Sequence, residues 1–140
     1  INYNFTLIVY EKYKLGDTTY SLNIQEEYNR LNQFKQNNGL KAKIKLVFTT
    51  REIKEHDRGI YMNYLRINSG DSFNYFDSSG NIITHGTDIQ FFTMTEPDKI
   101  NSARGALENF SKIVKETEEK RKDTHIRGNN NNNLLNLCYK

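Results

Sequence analysis

The chain has no tryptophan, one proline and one cysteine in its 140 residues. The single cysteine, Cys138, excludes a disulfide within the chain and argues against the small disulfide-stabilised secreted domains. No apolar run approaches the roughly 18 residues that a membrane-spanning helix needs, so we predict no membrane span. We expect an intracellular protein in a reducing compartment, cytoplasmic or nuclear. Processing of a chain that starts at Ile1 would change this expectation.

Sequence motifs of the common enzyme and metal-binding classes are also missing. Glycine-rich phosphate-binding loops do not occur, and Ser78-Ser79-Gly80 lacks the flanking residues of a nucleophile elbow. The three histidines stand far apart, without the spacing of a zinc pair. We therefore predict no catalytic residue, no metal site and no cofactor. We expect a non-enzymatic protein, and an active site scattered along the sequence stays the open alternative.

Length and composition predict one domain with a core of its own. The composition is 36% hydrophobic and 12% aromatic, and the net charge is +3. So small a positive excess gives only weak attraction to a polyanion. We predict a single domain over residues 1–118. Residues 119–140 are predicted to form a charged helix extension and an Asn-rich tail that is partly disordered.

Apolar periodicity predicts the order of strands and helices. Residues 5–10 are typical of a strand covered on both faces, and residues 18–22 can return as the second arm of a hairpin. A capping residue at Asn23 and a stop at Gly39 bound the first helix, and the spacing from Ile100 to Val114 predicts the second. Turn-separated runs between residues 40 and 94 predict about four more strands, one of them over residues 59–67. The fold prediction is α+β, an antiparallel sheet of about five to six strands in the order ββα-ββββ-α, with two helices packed on one face in two layers.

The run LKAKIKLVF alternates lysine with apolar residues. This period of two predicts a strand over residues 40–50 with one buried face and with Lys41, Lys43 and Lys45 on the other. Alternate strand residues recur at roughly 6.5 to 7 Å, which is comparable to the phosphate spacing of a nucleic-acid strand. Solvation of a sheet face, or protection of a sheet edge, is the ordinary alternative. Further basic residues predicted to bind nucleic acid follow at the end of the second helix: Lys120, Arg121, Lys122 and Arg127.

Aromatic residues are concentrated in the predicted meander. A two-layer domain with both helices on one side leaves the other sheet face open, and an open aromatic face is typical of a contact surface. Cover by the tail or by a helix is the alternative. The predicted protein-binding residues are Tyr61, Tyr64, Phe73, Tyr75 and Phe76.

The order helix, basic strand, further strands, helix and charged tail, with IKLVFTTREIKEHD after the first helix, is similar to the small Alu-domain subunit of the signal recognition particle. The resemblance covers about 60 residues and implies RNA binding by an αβββα fold. The predicted N-terminal hairpin and the turn at residues 77–80 depart from that family. No residue is assigned a role from it.

Two functions are consistent with these surfaces. The first is a non-enzymatic binding or assembly module that docks onto a protein partner through an exposed aromatic sheet face or edge. The alternative is an RNA- or DNA-binding accessory protein that uses the lysine-bearing strand. Ionic strength separates them, because electrostatic binding to nucleic acid weakens steeply with salt and apolar docking does not. The sequence predicts neither the identity of the partner nor the oligomeric state.

Overall fold

The structure, a computed structural model, describes residues 3–10, 23–49, 58–70, 75–83 and 88–136. Over these ranges the elements are β1 (Tyr3–Tyr10), α1 (Ile24–Asn37), β2 (Ala42–Thr49), β3 (Arg58–Tyr61), β4 (Leu65–Ser69), β5 (Ile89–Thr93), α2 (Pro97–His125), β6 (Ile126–Arg127) and α3 (Asn133–Asn136). The chain divides into two compact units. Unit 1 is Ile1–Glu52 with Leu107–Lys140, and unit 2 is Ile53–Ala106.

Unit 1 contains a three-stranded sheet in the order β1–β2–β6. β1 and β2 are parallel from the pair Tyr3 and Ala42 to the pair Tyr10 and Thr49, and β6 joins β2 antiparallel. The prediction of a wholly antiparallel sheet is therefore wrong. β1 and β2 can be parallel because α1 lies between them in the chain and supplies the crossover that a parallel pair requires. The predicted second hairpin arm, residues 18–22, lies outside the described residues.

Helices cover both faces of the unit 1 sheet. The buried residues that join α1 to one face are Ile24, Leu46 and Phe48. The buried residues that join α2 and β6 to the other face are Val47, Val114 and Ile126. Because successive strand residues point to opposite sides, the neighbours Leu46 and Val47 serve different clusters. The predicted two-layer arrangement, with both helices on one face, is therefore wrong, and unit 1 has three layers.

The predicted first helix and the predicted strand in the lysine-bearing run are confirmed. The prediction that only one face of this strand is buried is wrong, because α2 packs against the lysine-bearing face at Val47. Asn23 Oδ1 accepts hydrogen bonds from the backbone N–H groups of Gln25 (3.0 Å) and Glu26 (3.3 Å), which have no partner within the helix. Gly39 follows the end of α1 with φ of +63°, a conformation that favours glycine. β2 then begins two residues later than predicted and buries Ile44.

α2 extends through the charged run that follows Val114 and ends at His125. Thr117 is buried in this run, and its hydroxyl donates a 2.7 Å hydrogen bond to the carbonyl oxygen of Ile113. A threonine satisfied by its own helix can thus take an inward position that the apolar pattern does not reveal. The backbone at Arg121 is non-helical, with φ of −143°, and separates the last turn from the rest.

The Asn-rich segment after β6 lies on the unit 1 sheet. Asn130 Nδ2 donates to the carbonyl oxygens of Phe5 (2.6 Å) and Lys43 (3.2 Å). Asn132 Nδ2 donates to Thr6 Oγ1 at 3.1 Å. These hydrogen bonds hold the segment against β1 and β2.

Unit 2 contains a second sheet, antiparallel in the order β3–β4–β5. The single strand predicted over residues 59–67 is wrong, because the chain reverses at Asn63 and Tyr64, with the Met62 N–H donating to the Leu65 carbonyl at 2.8 Å. Asn63 favours a turn, but the loop contains no glycine or proline to strengthen that signal. The predicted turn at residues 77–80 is confirmed, with Gly80 at φ of +83°. Two three-stranded sheets thus replace the single predicted one, and the α+β class is confirmed.

Candidate protein-binding surface

Strand register sorts the side chains of the unit 2 sheet onto two faces, since successive strand residues point to opposite sides. One cross-strand row, which defines the aromatic face, consists of Tyr61, Arg66 and Phe92. The next row, which defines the aliphatic face, consists of Ile60, Ile67 and Phe91. Each face therefore carries an unbroken row of large side chains across all three strands.

Arg66 is held between the two rings of the aromatic face. Its Cζ lies 5.1 Å from the ring centroid of Tyr61 and 5.8 Å from that of Phe92. Both distances are within the range of cation–π interactions. Arg66 Nε also donates a 2.9 Å hydrogen bond to Asn68 Oδ1. The row thus presents a planar cation between two rings.

Unit 2 carries most of its large apolar side chains on the outside. Of the fourteen large apolar side chains that are exposed among the described residues, nine belong to this unit: Met62, Tyr64, Phe76, Ile82, Ile83, Ile89, Phe91, Phe92 and Ile100. Its buried hydrophobic residues, over the same ranges, are Met94, Ala103 and Ala106. A small sheet needs an apolar face packed against something else for stability. This distribution is typical of a surface that another molecule covers.

A turn next to the sheet adds exposed apolar groups. Phe76 forms a β-bridge with Ile82, and both side chains are exposed. Asp77 Oδ1 accepts hydrogen bonds from the backbone N–H groups of Ser79 (2.8 Å) and Asn81 (2.9 Å). The hydrogen bonds from the Asn81 backbone and side chain lower the pKa of the Asp77 carboxyl, because they favour its charged form. The charged carboxylate therefore stabilises this turn at neutral pH.

The five predicted protein-binding residues differ in their surroundings. Tyr64 and Phe76 are 73% and 57% exposed. Tyr61 is half-buried and stacks with Arg66. Phe73 lies outside the residues that the structure describes.

Tyr75, the fifth of this set, makes a contact within unit 2. Its side chain is half-buried, and its hydroxyl lies 2.5 Å from the hydroxyl of the buried Ser69. The phenol therefore links the segment after residue 74 to β4. We do not include Tyr75 in the candidate surface.

Three residues of the candidate surface are missing from the predicted set, namely Arg66, Phe91 and Phe92. The charge-free run IQFFT at residues 89–93 was a signal for the two phenylalanines. The sequence contains no signal for Arg66, because its stacking depends on which residues stand opposite it in β3 and β5. That register is set by the loop at residues 63 and 64.

The basic residues predicted to bind nucleic acid lie in unit 1. Five of the seven are exposed: Lys41, Lys43, Lys120, Arg121 and Lys122. Arg127 is half-buried, and its Nε donates a 2.7 Å hydrogen bond to Gln25 Oε1. Lys45 lies on the sheet face that α2 covers and pairs with Glu118 at 2.7 Å. The three strand lysines therefore differ in their access to solvent, and nucleic-acid binding stays a prediction.

The Lys45–Glu118 pair predicts a measurable contribution to stability. The Lys45 side chain is only 13% exposed, so removing the charge of Glu118 leaves a largely desolvated ammonium group without its counter-charge. We expect Glu118→Gln to lower the free energy of unfolding by about 1 kcal/mol. Equilibrium unfolding in urea, followed by circular dichroism, measures this value.

Glu26→Gln is the matched control for that substitution. Glu26 pairs with Arg30 at 2.9 Å, and both side chains are more than half exposed. Exposed ion pairs contribute little to stability, so we expect the free energy of unfolding to change by less than about 0.5 kcal/mol. Equal effects of the two substitutions would contradict the structural role of Lys45.

Other features of the described residues offer little for chemistry. A cavity of about 290 Å³ in unit 1 is lined by asparagines of the Asn-rich segment together with the charged residues Lys45, Lys115 and Glu118. In the ranges that the structure describes, no group of three or more His, Cys, Asp or Glu residues could hold a metal ion. No helix in those ranges is long and apolar enough to cross a membrane.

Comparison of the chain with protein-family models, with curated proteins and with solved structures finds no match. The similarity to the signal recognition particle subunit therefore stays a prediction.

Proposed function

We propose that this chain is a non-enzymatic binding module whose unit 2 sheet docks onto a protein partner. The observation that carries this proposal is the distribution of apolar residues in unit 2. Nine large apolar side chains of unit 2 are exposed. Among the described residues of the same unit, the buried hydrophobic residues are one methionine and two alanines. A partner that covers this surface removes it from water, and burial of apolar area drives protein association.

The aromatic face is the best candidate for the centre of the interface. Tyrosine, phenylalanine and arginine are enriched in protein interfaces, and tyrosine and arginine are frequent among the residues that dominate binding energy. Arg66 is already oriented by its two rings and by Asn68, so little side-chain freedom is lost when a partner binds.

Charge favours a protein over a nucleic acid at this sheet. The three strands of unit 2 carry two charged residues, Arg58 and Arg66. Non-specific binding to nucleic acid depends on several phosphate contacts made together. Two arginines on different strands provide few such contacts, and the rest of the sheet surface is uncharged.

Capture from extracts of the cells that produce the protein tests this proposal. The wild-type chain, a variant with both Tyr64→Ser and Phe92→Ser, and a Phe34→Ser control are immobilised in parallel. Phe34 is 61% exposed but belongs to unit 1, so the control removes a similar aromatic surface elsewhere. We expect a protein retained by the wild type and by the control, and reduced about tenfold or more on the double variant.

Salt and nuclease treatment decide the class of the partner. Retention of the protein should persist when ionic strength rises and when the extract is treated with nuclease. A retained molecule that binds all three chains equally would contradict the proposal. Loss of retention under nuclease and with salt would support the nucleic-acid alternative instead.

A further inference from the structure

β5 presents a set of backbone hydrogen-bonding groups that point away from its sheet. The Met94 N–H donates to the Tyr64 carbonyl oxygen at 2.9 Å and so identifies these two residues as a hydrogen-bonded pair. Hydrogen-bonded and non-hydrogen-bonded pairs alternate along an antiparallel ladder. The backbone groups of Gln90 and Phe92 therefore bond to β4. Those of the three alternate residues, Ile89, Phe91 and Thr93, point outward.

The pairing of β3 with β4 gives an independent check of this assignment. The Met62 N–H donates to the Leu65 carbonyl oxygen, so β4 bonds to β3 through Leu65, Ile67 and Ser69. The alternate residues of β4, Arg66 and Asn68, are then the ones that bond to β5. Both ladders thus give β4 the same alternation, and they leave β5 at the edge of the sheet.

The residues of β5 itself include none of those that usually block a second strand. Natural edge strands are commonly blocked by lysine, proline or a bulge. β5 reads IQFFT, with no charge, no proline and no glycine, and all five residues are exposed. Within the part of the chain that the structure describes, β5 pairs with β4 alone.

We propose that β5 pairs with β5 of a second copy of this chain, antiparallel, about a twofold axis at Phe91. In this register Phe91 stands opposite Phe91 of the second copy, and Ile89 stands opposite Thr93. Every outward-pointing residue then meets an outward-pointing residue, so hydrogen bonds form at all three positions. The two sheets of three strands become one sheet of six.

The sequence of β5 favours a second copy as the occupant. A twofold pairing brings each strand against itself, which is unfavourable where like charges meet and acceptable for an uncharged strand. The central pair joins two phenylalanines that are each 65% exposed in the single chain, and aromatic cross-strand pairs are stabilising. This inference uses the edge of the sheet rather than its faces, so it goes beyond the docking function and does not depend on it.

Cysteine cross-linking in a Cys138→Ser background tests both the pairing and its register. Residues opposite one another in a hydrogen-bonded pair have Cα atoms about 5.5 Å apart, which a disulfide can span. We expect Phe91→Cys to form a disulfide-linked dimer under mild oxidation. Ile89→Cys alone should not, because four residues of strand separate the two positions by roughly 13 Å. A mixture of Ile89→Cys with Thr93→Cys should form mixed dimers.

Sedimentation of the unmodified chain gives a second readout. We expect a dimer that Phe91→Lys converts to a monomer at the same concentration, and that Tyr64→Ser leaves unchanged. A monomer at all concentrations, or equal cross-linking of Ile89→Cys and Phe91→Cys, would overturn the inference. If the chain is monomeric but still captures a protein through Tyr64 and Phe92, only the pairing is wrong; if it dimerises but captures nothing, only the docking function is wrong.

Discussion

Replacing Gly128 with alanine should lower the free energy of unfolding by about 3 kcal/mol or more, the range of substitutions that force a backbone shift. Gly128 has φ of +76°, a conformation that favours glycine. A Cβ built there collides with the carbonyl oxygen of Ile44 and lies 2.7 Å from the hydroxyl oxygen of Tyr28. The Ile44 carbonyl belongs to β2 and cannot move without disturbing that strand. Relief of the collision therefore displaces the chain where it leaves β6 for the Asn-rich segment.

Gly39→Ala is the control that measures the cost of a left-handed backbone conformation without a steric collision. Gly39 also has a positive φ, +63°, but a Cβ there meets no atom within 4 Å. We expect this substitution to lower the free energy of unfolding by about 1 kcal/mol, the cost of a left-handed conformation alone. Urea unfolding followed by circular dichroism measures both variants. Equal losses would contradict the close packing of Gly128 against β2 and Tyr28.

Leu46→Ala should also lower the free energy of unfolding by a large amount, about 3 to 4 kcal/mol. The Leu46 side chain is 1% exposed and packs in the cluster that joins α1 to the sheet. Removal of a buried leucine loses its transfer free energy and leaves a cavity that close-packed neighbours fill only in part. The same cluster includes Ile24, the first residue of α1, so we expect the loss to weaken the attachment of that helix.

Leu40→Ala makes the same chemical change six residues earlier. Leu40 lies just before β2 and is 49% exposed. We expect a change below about 0.5 kcal/mol, which is usual for surface positions. A similar loss for the two leucines, in the same urea experiment, would mean that β2 is not buried as the structure shows.

Local signals predicted the elements whose formation depends on neighbouring residues. The Asn23 cap and the stop at Gly39 bound α1 because both act within one helical turn. The alternation around Lys43 and Ile44 identified β2 because strand period is a local property.

The parts that the sequence did not predict depend on distant residues. Nothing near β1 indicates that its parallel neighbour follows α1. Lys45 pairs with Glu118, which is 73 residues away in the sequence. Asn130 donates a hydrogen bond to Phe5, which is 125 residues away. The row that holds Arg66 likewise depends on two ladders whose register no single strand encodes.

Oxidative footprinting with hydroxyl radicals tests the docking surface most directly. Aromatic side chains react in proportion to their exposure, so Tyr64, Phe76 and Phe92 should react readily in the isolated chain and be protected in the complex with its captured protein. Tyr3 and Phe34, which are 60% and 61% exposed in unit 1, should each react to the same extent in both states. Protection of the unit 1 aromatics with no change in unit 2 would contradict the account.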